Sequence, residues 1–457
     1  MSTTTEKPPI HFSHRAVIGW CLVAAIAIPV LLSQLEKFEQ ERSVRLLRET
    51  GAEVRVGLDG KQIVAAEFEE TTIDEATVRR MLEHQAIRRL SFTTCQFEAG
   101  TLRKLAALPE LDSLDLRQPV FDAPDDLNGL LEASRLISLT LTDLAATPEP
   151  LQINTDRLRS VQLYRCGTAT VALIEELAAA PSLRALRCEG TPLPLELCRR
   201  IHHERSDVDF EISADEICEY QPLTSRGARL VLNEDLDVVG LTIRRGSDPV
   251  PPDLILQLPK LRTVQLHHID VDRGLLEALA QLQSPVSLSL VGSRIDADDL
   301  LLLAALPQLR RLHLDELSTR TGEEVELPSL PRLKTLTANS AAINDRALDG
   351  LAPGGLEIVS LGRTVTRRGL QRLLAPGTVH TLALSGRPVD ADLLETIRSC
   401  SRLQNLLLFG CTVKEELLAE ASLPEELKTL RLAGTRVSKE TIEALRAAYP
   451  QLQVFFW

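Results

Sequence analysis

The sequence predicts an α/β solenoid in which one strand and one helix form each repeat of 22–25 residues, arranged as two tandem arrays behind one transmembrane helix. Three observations predict it. A six-residue pattern, L-x-x-L-x-L, returns at near-constant intervals through most of the chain. A residue able to cap a helix stands at the twelfth position of several repeats. The phrase "GAEVRVGLDGKQIVAAEF", Gly51 to Phe68, also has a second version, "GARLVLNEDLDVVGLTI", Gly227 to Ile243.

The pattern is clearest in the second half. It starts at Leu261, Pro285, Leu309, Leu333, Leu356, Val379, Leu403 and Leu427, at intervals of 24, 24, 24, 23, 23, 24 and 24 residues. A more worn copy starts at Ile63, Ile87, Leu111, Leu136, Leu158 and Leu183. Alternation at the fourth and sixth positions is strand periodicity with one face buried. Leu312 and Leu314 therefore point inward, and Arg311, His313 and Asp315 point out. Position twelve is Asp74, Asp272, Asp296, Asn344, Asp390 or Ser438. These side chains accept the free N–H groups of a helix start. Apolar residues at helical spacing follow, as in "RGLLEALAQL" and "KETIEALRAAY". A single unit cannot bury its apolar face, so the units stack, which is the leucine-rich-repeat solenoid. The ninth position, Cys95, Cys166, Cys411, Ser293, Thr191, Thr364 or Thr435, is a small polar group that satisfies backbone in the turn.

Taken in order, residues 1–15 are a polar tail. Residues 16–35 form a transmembrane anchor, because "AVIGWCLVAAIAIPVLL" from Ala16 to Leu32 carries no charge. The alternative is a signal peptide cleaved after Ala27. Lys37, Arg42, Arg45 and Arg48 after the span outnumber Lys7 and Arg15 before it, which favours a cytoplasmic C-terminal side. A short tail ahead of a large domain favours export instead, so the side is left open. Residues 36–50 read as a charged, solvated stalk helix. Residues 51–212 are the first array, opened by a hairpin cap with Val54 and Val56 in its first strand and Asp59-Gly60 at its turn. Residues 213–226 are the junction. Residues 227–457 are the second array, with Leu230, Leu232 and Val238 in its own hairpin. It ends on a strand in which Leu452, Phe455 and Trp457 take positions one, four and six. Phe210 and Ile212 take positions four and six at the end of the first array. "TDLAATPEPLQINT" and "STRTGEEVELPSL" are irregular connections in place of helices, and their units are expected to be looser.

Composition narrows the function. A net charge of -13 repels phosphate and argues against nucleic acid as a partner. Aromatics are only 3%, so leucine must build the core. Eight cysteines, at 21, 95, 166, 188, 198, 218, 400 and 411, include no C-x-x-C pair, so no zinc site or disulfide framework is expected. No nucleotide-binding, metalloprotease, nucleophile-elbow or kinase motif occurs. No cofactor is expected. The order of anchor, charged helix, glycine-containing hairpin and repeats resembles that of bacterial leucine-rich-repeat proteins with an N-terminal membrane anchor. The Gly190-Thr191 and Gly434-Thr435 turns and the acidic helix caps resemble the cysteine-containing repeats of ubiquitin-ligase adaptors. The chain departs from those adaptors in having an anchor where their helix bundle would stand.

The expected function is that of a non-catalytic, membrane-anchored scaffold with a protein partner. The alternative is a substrate-recognition or regulatory subunit of a separate enzyme complex. A third reading places an enzyme site at the junction, using Cys218, Asp215 or Glu219. Positions three, five and seven face the concave side, where solenoids bind. The larger polar residues there are Gln265, His267, Arg311, His313 and Asp315, and Leu407 and Phe409 present apolar surface near the end.

Overall fold

The computed structural model describes residues 38–456 apart from 39–40, 43, 58–61, 124, 134, 145–150, 168–169, 352–353 and 421–422. The expected anchor at 16–35 and the Asp59-Gly60 turn lie outside the described residues. Among the described residues, no helix is long and apolar enough to cross a membrane.

The chain divides into two compact units, Met1–Cys218 and Glu219–Trp457. The first is built on an eight-stranded sheet and the second on an eleven-stranded one. In each, a single antiparallel hairpin opens a run of parallel strands. Ala52–Val56 pairs with Ile63–Glu69 in the first unit. Arg229–Leu232 pairs with Val238–Arg244 in the second. Every later strand joins its predecessor in repeat register, so that Leu288, Leu312 and Leu336 form one buried row at position four. Of the six expected helix caps, four cap a helix as predicted, and Asn344 accepts in the same way ahead of turns where no helix forms. Asp74, Asp272, Asp390 and Ser438 take the N–H groups of Thr77, Leu275, Leu393 and Thr441, and Asn344 takes that of Ala347. Asp296 instead pairs with Arg320 of the next repeat, 3.0 Å away, and a 3-10 helix follows it.

The ninth-position ring does its predicted work across repeats. The thiols of Cys95, Cys166 and Cys411 and the hydroxyl of Ser293 donate to the carbonyls of Phe68, Leu141, Leu384 and Leu266, each a sixth-position residue of the repeat before. The eighth position has its own constraint. Nearly every repeat turns there through a positive φ, carried by Glu70, Thr94, Gln118, Asp143, Arg165, His268 and Glu316 as well as by Gly190 and Gly434. Only glycine adopts this conformation without cost. The Gly-Thr turns noticed in the sequence are thus repeats in which the turn is unstrained.

Four expectations need correction. The segment before the first array is no free stalk: Leu47 is fully buried, and Arg80 of the first repeat donates to the Leu46 carbonyl. The core is not purely aliphatic. Phe68, Phe92, Phe97 and Phe121 form a contiguous series of ring contacts with centroids 5.1–5.6 Å apart at the start of the first unit. The irregular connection of the second unit is well filled, because Val325, Leu327 and Leu330 are buried where a helix would have packed. Finally, the last strand, Gln453–Phe456, sits one residue out of the predicted register. Leu430 pairs with Val454 and Arg431 with Phe455. Val454 is therefore the inward residue and Phe455 lies on the concave face, since a one-residue shift exchanges the two faces.

Candidate partner-binding surface

Parallel register places the third, fifth and seventh residues of each repeat in rows across the concave face. Along the fifth-position row of the second unit, Gln265 adjoins Ser289, and Ser289 adjoins His313. At the ordinary strand spacing, Gln265 and His313 stand about 10 Å apart. Arg311 lies in the third row, and His267 and Asp315 in the seventh. The structure thus brings the five predicted polar residues into one neighbourhood.

Most of them are already ordered by neighbours. The Gln265 side-chain oxygen accepts from the Thr242 hydroxyl at 3.2 Å, and His267 Nε2 lies 3.1 Å from the buried Ser289 hydroxyl. Asp315 accepts from both the backbone N–H and the side-chain amide of Asn339, at 2.9 and 3.0 Å. That same amide reaches Ser360, extending the chain of hydrogen bonds into the next repeat. Burial, helped by the nearby Arg244 cation, depresses the His267 imidazole below its ordinary value. Burial does the same to His313, against the opposing pull of Asp315. Both rings are consequently neutral hydrogen-bonding groups at neutral pH. Arg311 is exposed and is in no ion pair among the described residues.

Leu407 and Phe409 lie on the strand Asn405–Phe409, four strand positions from the His313 strand. They do not join the polar neighbourhood. Leu407 is half-buried between Ala383 and Arg431, and Phe409 is 37% exposed between Ser385 and Ala433. Sequence reasoning left three contributors out of the candidate set. Asn339 and Ser360 are small and ordinary in the pattern, and only the register links them to Asp315. Phe455, 44% exposed with the Arg431 guanidinium 5.5 Å from its ring centre, was assigned to the wrong face. The modal interval of 24, counted from Leu427, was the signal that would have placed it correctly.

At the junction, the buried carboxylate is Glu216 rather than Asp215 or Glu219. Its two oxygens accept the N–H groups of Gly190 and Ser213, so it closes the last repeat of the first unit. Cys218 donates its backbone N–H to the Leu193 carbonyl. Burial pushes the Cys188 thiol up to about 12, consistent with a core role. Among the described residues, no group of three or more His, Cys, Asp or Glu side chains is placed to hold a metal ion.

Stacked strand-and-helix units with a ninth-position donor ring define a leucine-rich-repeat protein. Within that class, residues 62–204 match the family described as "FBD-associated F-box protein At5g56370, LRR repeats". No curated protein matches the chain. Among solved structures, the leucine-rich-repeat protein LIC12759 of Leptospira interrogans is 14% identical, with a TM-score of 0.30, covering 82% of this chain and 92% of that one. The internalin InlF of Listeria monocytogenes is 11% identical, with a TM-score of 0.19, covering 91% and 93%. A TLR13–ssRNA13 complex is 13% identical, with a TM-score of 0.35, covering 87% and 68%. None of these values carries a functional inference.

Proposed function

We propose that this chain is a non-catalytic recognition protein that holds a protein partner on the concave face of its second array, as the substrate-recognition part of an adaptor assembly does. The observation that carries the reading is a set of three prearranged hydrogen-bonded groups on adjoining strands, Thr242 with Gln265, His267 with Ser289, and Asp315 with Asn339 and Ser360. Such a set presents hydrogen-bonding groups at fixed positions, which reduces the ordering cost of binding. The match of residues 62–204 to repeats of an F-box protein supports the adaptor role over a free-standing scaffold.

Thr337 stands half-exposed in the fifth-position row, next to His313. Thr337→Trp should block any occupant of the face by bulk alone and cut partner capture by more than about tenfold, with stability changed by less than about 1 kcal/mol. Capture at the wild-type level by folded Thr337→Trp protein would place the binding surface elsewhere.

Attachment to a membrane through residues 16–35 is a separate part of the proposal, supported by the uncharged run alone. The full chain is expected to stay with membranes through a high-salt and alkaline wash. Release into the soluble fraction would remove the anchor from the reading.

A further inference from the structure

The chain as a whole has a net charge of -13, and the concave face of the first array follows that sign. Of its arginines in the third, fifth and seventh rows, Arg117 and Arg187 are each paired with a carboxylate of the same face, Asp115 and Glu211, and Arg89 lies exposed beside Ser113. The second array differs. In the third, fifth and seventh rows from the Val238–Arg244 strand to the Gln453–Phe456 strand, the charged residues among those described are Arg244, Arg311, Asp315 and Arg431. Asp315 is occupied by Asn339. Arg311 has Ser287 and Thr335 beside it in its row. Arg431 has Leu407 and Phe455. Among the described residues neither meets a carboxylate, although elsewhere in the same unit arginines of one repeat pair with carboxylates of the repeat before, as Arg320 does with Asp296 and Arg346 with Glu326.

Arg244 stands three strands from Arg311 on the side away from Arg431, and the spacing of Arg311 and Arg431 sets a length. From the Arg311 strand to the Arg431 strand is five steps, through Thr335, Ile358, Thr381 and Asn405 to Thr429. Five steps at the ordinary strand spacing are about 24 Å, or about seven residues of extended chain. Hydroxyls, an amide and the exposed Ile358 side chain line the route, and Leu407 and Phe409 stand beside its Arg431 end.

We infer that the occupant is an extended acidic polypeptide segment with two carboxylates about seven residues apart, one meeting Arg311 and the other Arg431, and with an apolar side chain beside the second, against Leu407 and Phe409. This rests on the reading of the concave face as the docking surface. An outward-facing arginine with no carboxylate beside it is a preformed half of a charge-assisted pair.

The test is fluorescence anisotropy with the full chain and synthetic peptides of serine and threonine carrying two glutamates. One peptide has the glutamates seven residues apart with a leucine beside the second, one has them adjacent, and one has glutamine in their place. The seven-spaced peptide should bind about tenfold more tightly than either control, and its binding should weaken as salt rises. Arg311→Gln and Arg431→Gln should each lower that affinity about tenfold, and Thr337→Trp should abolish it. Equal binding of the glutamine peptide, or wild-type affinity in the double arginine variant, overturns the inference. An oligothymidylate bound as tightly as the peptide overturns it in favour of a nucleic acid. Failure here separates from failure of the broader reading. If Thr337→Trp blocks a captured protein while the arginine variants still hold it, the concave face stands and the acidic partner falls.

Discussion

Gly350→Ala is expected to destabilise the second unit by about 2–3 kcal/mol, although residue 350 lies at the surface. A Cβ there would fall on the Leu327 carbonyl oxygen, well inside van der Waals contact. That oxygen cannot swing away as a side chain would. Leu327 is buried, and its own N–H is tied to the Ala347 carbonyl at 3.0 Å. The close approach exists because an extended segment runs where this repeat would otherwise have a helix. The comparison variant is Gly434→Ala. Gly434 has φ +61 and only ordinary contacts, the nearest at 3.6 Å, so it should lose just the left-handed penalty of about 1–2 kcal/mol. Urea unfolding followed by circular dichroism reads both. A Gly350→Ala protein as stable as wild type would mean that the segment packs less closely than described.

Opposite outcomes are expected at two members of the ninth-position ring. The Ser293 hydroxyl is fully buried. It donates to the Leu266 carbonyl at 2.9 Å and accepts the Ile269 N–H at 3.3 Å. Ser293→Ala leaves both backbone groups unpaired and should cost about 2–4 kcal/mol. The Thr435 hydroxyl oxygen is buried without a hydrogen-bond partner. Thr435→Val keeps the shape, removes the orphan, and should be neutral or stabilising by up to about 1 kcal/mol. Denaturant midpoints of the two variants against wild type decide it, and equal losses at both positions would sink the account of the ring. Arg387 occupies the same ring position in its repeat and is 7% exposed. It reaches the Gly362 carbonyl, while its Nε has no partner. Burial correspondingly depresses the guanidinium below its ordinary value.

The parts of this protein legible in advance were those that repeat. A residue such as Leu312 is specified by its neighbours four and six places into every other hexad, so its inward direction follows from pattern alone. The same holds for Asp272 and Asp390 as helix caps and for Cys95, Cys166 and Cys411 as turn donors, because each role uses atoms fixed by a constant offset. The polar neighbourhood of Gln265, His267, His313 and Asp315 was legible for the same reason, since constant spacing implies constant register.

What the tertiary structure alone decided lies where the repeat breaks or where one repeat meets the next. Leu47 docks because the first unit has an open end to cover, and no periodicity marks it. Gly350 matters because a neighbouring repeat exchanged a helix for extended chain. Phe455 lies on the concave face because Arg431 pairs with it, and a difference of one position in strand register reverses every side chain. That Arg311 and Arg431 meet no carboxylate among the described residues is likewise a property of the stack. The sequence determines that these arginines face outward, but whether a carboxylate answers them depends on which residues the register sets alongside, here Ser287 and Thr335 for one and Leu407 and Phe455 for the other. Periodicity fixes direction within a repeat, whereas pairing energy arises between repeats, and only the folded stack brings those partners together.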